Sequence, residues 1–129
     1  MKFNSQICTT KEQSERLLAL GLKKETADMF LHPTGTAYAT AFCDIKDKMR
    51  INPYIPAWSL HRLIEMLSFQ VIHNDKKYEP VIAIDGMAYQ DVCSDDSIVG
   101  WSGDLYTDVI DCIEWLISIE QFNKEYLEE

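Results

Sequence analysis

The stretch that decides the fold is Phe69–Val92, which reads F-Q-V-I-H-N-D-K-K-Y-E-P-V-I-A-I-D-G-M-A-Y-Q-D-V. It contains three short runs rich in β-branched and aromatic residues, a composition typical of strands. The runs are Phe69–His73, Tyr78–Ile84 and Met87–Val92. Asp85-Gly86 separates the last two and indicates a two-residue hairpin, because a type I′ turn needs positive φ at both central positions. The stretch therefore predicts a small antiparallel meander sheet.

Helical patterns lie on both sides of this meander. The segment from Asp104 to about Glu120 carries apolar residues at helical spacing and predicts a closing helix that packs on the sheet. Two helices are predicted upstream, with start signals at Thr9 or Thr10 (capping box with Glu12 or Gln13) and at Ser59. Other predicted elements are a short helix over Lys24–Phe30, a strand over Gly35–Cys43, and loops over residues 44–56 and Ser94–Gly103. This order predicts an α+β fold with the meander packed against three or four helices.

Size and composition bound the class of protein. The chain has 129 residues and is 47% hydrophobic, which predicts one globular domain over residues 1–129, with a tail at 123–129 that frays. No run is apolar and long enough for a signal peptide or a spanning helix, so we expect a cytoplasmic protein that does not bind membranes. The cysteines (Cys8, Cys43, Cys93 and Cys112) lack the close pairs of a zinc site and indicate free, mostly buried thiols.

The distribution of charge is the strongest functional signal. The net charge is −9, and it divides into +2 for residues 1–74 and −11 for residues 75–129. An acidic surface opposes direct binding to nucleic-acid backbones, which needs basic side chains. The possibilities left are a basic protein partner, a divalent cation, mimicry of nucleic acid, or acidity that serves only solubility.

The closing helix concentrates this charge on one side. Asp104, Asp108 and Asp111 fall within about 60° of one another at 100° per residue, with Glu114 farther round the same side. Apolar residues fill the opposite arc, and no Lys or Arg compensates the acids. We therefore expect Asp104, Asp108, Asp111 and Glu114 to form an outward acidic surface that binds a partner.

A metal site is the alternative interpretation of the same residues. Asp108, Asp111 and Glu114 follow at i, i+3 spacing, as in all-α nucleotide pyrophosphohydrolases, and carboxylates on successive turns suit Mg²⁺. Glu12 and Glu15 repeat the spacing on the first helix. The two sets are far apart in sequence, however, and the chain contains a sheet. A divalent-metal-dependent nucleotide or phosphoester hydrolase is therefore the second hypothesis, ahead of an acidic nucleic-acid mimic.

Motifs for catalysis are missing from the sequence. The histidines His32, His61 and His73 form no metal-binding or triad pattern, and there is no phosphate loop or dinucleotide fingerprint. The acids Asp91, Asp95 and Asp96 lack the spacing of a calcium loop and indicate a solvated turn. We predict no catalytic residues and no cofactor.

Three segments carry a family resemblance. They are Lys11 to Met29 (K-E-Q-S-E-R-L-L-A-L-G-L-K-K-E-T-A-D-M), Ile55 to Leu67 (I-P-A-W-S-L-H-R-L-I-E-M-L) and Val109 to Leu116 (V-I-D-C-I-E-W-L). Together they resemble a family of small uncharacterised proteins encoded in prophages and mobile elements of gut anaerobic bacteria. The resemblance implies a bacterial or phage cytoplasmic protein, and it implies no catalytic residue.

These observations favour a non-enzymatic acidic interaction or accessory protein. Its expected partner is a basic protein. A milder alternative is a homo-oligomer, in which the slightly basic half of one copy meets the acidic half of another.

Overall fold

The computed structural model describes residues 6–39 and 54–129. The chain forms two compact units, which we call the first unit (Met1–Arg62 with Tyr126–Glu129) and the second unit (Leu63–Glu125). Both contain an antiparallel sheet, so the predicted α+β class with an antiparallel meander is confirmed. The single domain predicted over residues 1–129 stays a prediction.

The described residues form seven strands and three α-helices. The helices are α1 (Lys11–Ala19), α2 (Leu60–Glu65) and α3 (Leu105–Ser118). The strands are β1 (Met29–Leu31), β2 (Ala37–Ala39), β3 (Ile55–Ala57), β4 (Val71–His73), β5 (Lys76–Ala83), β6 (Gly86–Asp91) and β7 (Ser97–Gly100). Short 3₁₀ turns cover Lys24–Thr26 and Lys124–Tyr126.

The first unit begins with a capped helix. Thr10 Oγ1 accepts the Gln13 backbone N–H at 3.2 Å, and Gln13 Oε1 accepts the Thr10 N–H at 2.9 Å. This is the Thr10–Gln13 version of the predicted capping box, which satisfies two backbone donors that the first turn would otherwise leave unpaired. Gly21, with φ of 103°, follows the helix in the left-handed conformation that glycine adopts at low cost.

Trp58 anchors the interior of the first unit. Its side chain is fully buried, and its indole N–H donates to Thr26 Oγ1 at 2.9 Å. Its backbone N–H donates to Thr9 Oγ1, and its carbonyl accepts the Thr9 N–H. These bonds satisfy every polar group that burial of the ring takes from water.

Three predictions for this unit need correction. The segment Lys24–Phe30 is a 3₁₀ turn followed by β1, because Met29–Leu31 pairs with β2 on one side and β3 on the other. Tertiary pairing here overrides helix propensity. The predicted strand at Gly35–Cys43 is present over Ala37–Ala39, begins after Gly35 and Thr36, and lies outside the described residues from position 40 onward. The loop predicted over residues 44–56 lies outside the described residues up to position 53, and its last two residues belong to β3, because Ile55–Ala57 pairs with β1.

The C-terminal tail is hydrogen-bonded where fraying was expected. The Lys23 N–H donates to the Tyr126 carbonyl at 2.8 Å, and the Glu128 N–H donates to the Gly21 carbonyl at 2.7 Å. Leu127 forms an isolated bridge with Leu22. The residues that follow α1 thus form backbone hydrogen bonds with the tail, and such long-range bonds cannot be predicted from a sequence pattern.

The second unit is the predicted meander with one additional strand. Its sheet has the order β4-β5-β6-β7, and α3 packs on β6 and β7 with Val109, Ile110, Ile113 and Leu116 fully buried. β7 was predicted as a loop, because its four residues, S-I-V-G, lie between Ser/Asp-rich segments. The closing helix is confirmed.

The β5–β6 hairpin turn differs from the sequence prediction. Ala83 pairs with Gly86, so Ile84-Asp85 forms the β5–β6 turn and Gly86 belongs to β6. The positive φ values expected at Asp85-Gly86 occur instead at Asn74 (53°) and Asp75 (62°), between β4 and β5. Gly86 is instead required because a side chain at this position would collide with Asp108 of α3.

One side chain covers the outer edge of β4. Gln121 Oε1 accepts the Ile72 backbone N–H at 3.2 Å, and Gln121 Nε2 donates to the Ile72 carbonyl. A single amide thus imitates one peptide group of a neighbouring strand. Phe69 and Ile72 beside it are 70% and 65% exposed. An uncovered edge with apolar side chains is a template for pairing with another chain.

We predict that Gln121→Leu destabilises the protein by about 1–2 kcal/mol, because both hydrogen bonds to Ile72 are lost. The uncovered edge should also promote self-association, measured by sedimentation velocity. Gln70→Leu, at an exposed position, is the matched control. A Gln121→Leu variant as monomeric and stable as the control would show that this amide does not protect the edge.

Candidate functional site

The structure separates the four predicted partner-binding acids into two groups. Asp104 and Glu114 are exposed and Asp111 is half-buried. Asp108, by contrast, is 0% exposed. The expectation that Asp108 belongs to an outward surface is therefore corrected, since this carboxylate faces the sheet.

Two backbone amides explain why a carboxylate is tolerated there. Asp108 Oδ1 accepts the Ser102 N–H at 2.7 Å, and Oδ2 accepts the Met87 N–H at 3.1 Å. A Cβ at Gly86 would lie 2.6 Å from Oδ2, so only glycine lets the strand approach this closely. Hydrogen bonds to the charged form offset the cost of burying it. Asp108 thereby ties β6 to the loop that precedes α3.

That loop places a tryptophan on the surface. Gly100, Trp101 and Gly103 have φ values of 116°, 59° and 96°. The Trp101 N–H donates to the Met87 carbonyl at 3.0 Å, and the indole N–H donates to Ser97 Oγ at 2.8 Å. The left-handed conformation costs a residue other than glycine roughly 1–2 kcal/mol. Neighbouring bonds hold Trp101 in it, with 41% of the residue exposed.

Gly86 contributes to this arrangement as well. The Trp101 ring lies 3.3 Å from the position that a Cβ at Gly86 would occupy. One glycine therefore makes room for the buried carboxylate and for the indole. The sequence G-W-S-G at residues 100–103 could have indicated an exposed tryptophan. Two glycines so close together favour a loop, where a large side chain is harder to bury than in a helix or strand.

We predict that Asp108→Asn destabilises the protein by about 2–3 kcal/mol, because an amide offers one acceptor and would turn its NH₂ toward a backbone N–H. Urea unfolding measures the change. Asp104→Asn is the matched control: Asp104 caps α3 by accepting the Thr107 N–H, and asparagine caps equally well. Equal stability of the two variants would contradict the structural role of Asp108.

The alternative metal residues do not converge. Within residues 6–39 and 54–129, no three His, Cys, Asp or Glu side chains are placed to hold a metal ion. Both Asp108 oxygens already face N–H donors, which makes them poor ligands for a cation. Asp108 is therefore not available to complete the predicted metal site with Asp111 and Glu114.

The acidic loop after β6 is an internally bonded turn. The Asp91 N–H donates to the Asp96 carbonyl, and the Asp95 N–H donates to the Asp91 carbonyl. The Cys93 N–H, donating to Asp91 Oδ1 at 2.9 Å, lowers the pKa of Asp91, and the Lys76 ammonium at 3.9 Å acts in the same direction. This carboxylate has local partners.

The described thiols are of two kinds. Cys93 is exposed, whereas Cys8 and Cys112 are buried. Burial raises the pKa of Cys112 to about 12, helped by the negative charges of Asp108 and Asp111. Burial also raises the pKa of Cys8, with Asp28 adding to the effect. A thiol that stays protonated is a poor nucleophile.

Cys8 lines a cavity of about 420 Å³ in the first unit, together with Lys11, His32 and apolar residues. The His32 Nδ1 is hydrogen-bonded to Thr34 Oγ1 at 2.8 Å rather than to the Cys8 thiol. With its pKa raised, the Cys8 thiol stays protonated near neutral pH. The cavity supplies space but no activated group.

We predict that native protein at pH 7.5 is alkylated by N-ethylmaleimide at Cys93 much faster than at Cys8 or Cys112, as peptide mass spectrometry would measure. Fast labelling of Cys112 under native conditions would contradict its burial.

The raised pKa values of Cys8 and Cys112 also predict that the free energy of unfolding falls above about pH 9. The reason is that the thiols of the unfolded chain ionise there, while those of the folded protein keep their protons.

The charge of the second unit is uneven. It holds thirteen Asp and Glu against three Lys, a net charge of −10, and ten of the acids are exposed. No Lys, Arg or His occurs between Lys77 and Lys124. We define the hairpin-end surface as the exposed residues of the β5–β6 turn and of the loop before α3: Ile84, Asp85, Trp101 and Asp104.

No family model, curated protein or solved structure matches this chain. Among the residues that the structure describes, no helix has the length and apolar character needed to cross a membrane. The resemblance to prophage-encoded proteins stays a prediction. Any functional assignment therefore depends on the geometry above.

Proposed function

We propose that this protein is a non-enzymatic interaction module that binds a basic protein segment through the acidic surface of its second unit. One observation carries the proposal: ten exposed acids share this unit with three lysines. Lys76 and Lys77 begin β5, and Lys124 follows α3. The sequence between Lys77 and Lys124 holds acids and no Lys, Arg or His.

This charge supports recognition of a basic partner in two ways. Complementary fields accelerate encounter, and like-charge repulsion rejects acidic competitors. Affinity then comes from groups that lose water in the complex, which must include apolar surface. Ile84, which is 100% exposed, and Trp101 supply such surface beside Asp85 and Asp104.

The resemblance of three segments to prophage-encoded proteins suggests the biological context in which the module acts. In this proposal the module is a cytoplasmic accessory protein of a phage or mobile element, and its partner is a basic protein of the phage or of the host. Asp104, Asp111 and Glu114 are the acids of α3 that contact it. Asp108 is excluded from the contact and holds the loop.

The test compares two triple variants with equal net charge. Partners captured from a bacterial lysate are identified and purified, and their binding is measured by calorimetry over a range of salt concentrations. Asp104→Asn/Asp111→Asn/Glu114→Gln should weaken binding about tenfold. The control, Asp75→Asn/Glu79→Gln/Glu120→Gln, removes the same charge elsewhere and should weaken binding much less.

Equal losses in both triple variants would mean that the acids act only through net charge, and the proposed contact would be wrong. Binding that is unchanged in both variants would leave solubility as the role of the acids. Concentration-dependent self-association that disappears with salt would instead identify a second copy of this chain as the partner.

A further inference from the structure

We infer that the hairpin-end surface is a docking site for an arginine side chain of the partner, which stacks on the exposed part of the Trp101 indole. This inference rests on the proposed function and deepens it, because it names the contact and its chemistry. Of its residues, the sequence prediction named only Asp104 as partner-binding.

The indole offers a partner its π surface and little else. Its only hydrogen-bond donor is already engaged by Ser97 Oγ at 2.8 Å, and part of the ring lies against Gly86. The exposed remainder of the ring is attractive to cations, because the face of an aromatic ring carries negative potential. A tryptophan held in place also loses little conformational entropy when a partner binds.

The charges around the ring favour a cation further. Asp85 adjoins Gly86 in the β5–β6 turn, and Asp104 follows Trp101 by three residues; both are exposed. The forty-six residues from Tyr78 to Asn123 contain no Lys, Arg or His. The segment that carries the ring therefore supplies no cation of its own. An anionic or nucleic-acid ligand would be repelled here.

Arginine suits the surface better than lysine does. Its planar guanidinium can stack on the indole while its N–H groups reach carboxylates, whereas the ammonium of lysine is a strongly hydrated point charge. The exposed side chain of Ile84, which precedes Asp85 in the β5–β6 turn, offers apolar surface to the residues that flank the arginine. We therefore expect an arginine flanked by apolar residues.

The experiment uses a defined probe with the full-length protein. The probe is the synthetic peptide acetyl-(Gly-Arg-Leu)₃-amide, and its matched controls replace each arginine with lysine or with citrulline, which has nearly the same shape without the charge. Binding is measured by calorimetry. Indole N–H signals of Trp58, Trp101 and Trp115 are followed by NMR, and assigned from single Trp→Phe variants.

We expect the arginine peptide to shift the Trp101 signal while the signals of the buried Trp58 and the half-buried Trp115 stay unchanged. The lysine peptide should bind more weakly, and the citrulline peptide should not bind. Trp101→Leu should weaken binding of the arginine peptide about three- to tenfold, and Trp101→Phe should weaken it less, since a smaller aromatic face remains. Thermal melts confirm that each variant is folded.

The acids are tested with a matched pair. Asp85→Asn/Asp104→Asn should lower affinity for the arginine peptide and reduce its salt dependence, whereas Asp75→Asn/Glu79→Gln, with the same net charge, should change both less. Equal binding by the arginine and citrulline peptides, or by wild type and a folded Trp101→Leu variant, would overturn the inference.

The outcomes separate this inference from the proposed function. If the natural partner loses affinity in the α3 triple variant but binds Trp101→Leu normally, the interaction module stands and the arginine site is wrong. If peptide binding depends on Trp101 while no basic partner responds to Asp104, Asp111 and Glu114, the arginine site stands and the proposed α3 contact is wrong.

Discussion

The second unit depends on one buried charge. The Asp108 carboxylate lies between α3, β6 and the loop before the helix, and each of its oxygens accepts a backbone N–H. An ionised carboxylate without these bonds would be expensive to bury, so helix, strand and loop must adopt their positions together. Gly86 belongs to the same constraint because a Cβ there would overlap the carboxylate. The need to pair this carboxylate thus fixes the positions of α3, β6 and the loop before α3 relative to one another.

The same constraint connects the fold to the proposed function. Because Asp108 holds Ser102, the adjacent Trp101 keeps a left-handed backbone and its indole remains on the surface. The exposed acids are spread over turns, strands and helix ends, a pattern that suits recognition of a basic protein better than capture of one ion. Cys8 and Cys112 are buried thiols with raised pKa values, and they are therefore poor nucleophiles.

Sequence reasoning succeeded where a local rule was sufficient. The Thr10–Gln13 capping box, the closing helix and the meander follow from contacts within a few residues or from side-chain periodicity. It failed where distant backbone groups decided the outcome. Met29–Leu31 became a strand because two other strands pair with it, and the tail is ordered by hydrogen bonds to residues near Leu22.

The amino-acid sequence by itself determined the α+β class, the acidity of the C-terminal half and the side of α3 on which its acids lie. Only the tertiary structure decided that Asp108 leaves that surface while Asp104 and Glu114 remain on it. The physical reason is that helical periodicity fixes the direction of a side chain but not its surroundings. Whether a carboxylate meets water or backbone N–H groups depends on Met87 and Ser102, which only folding brings to it.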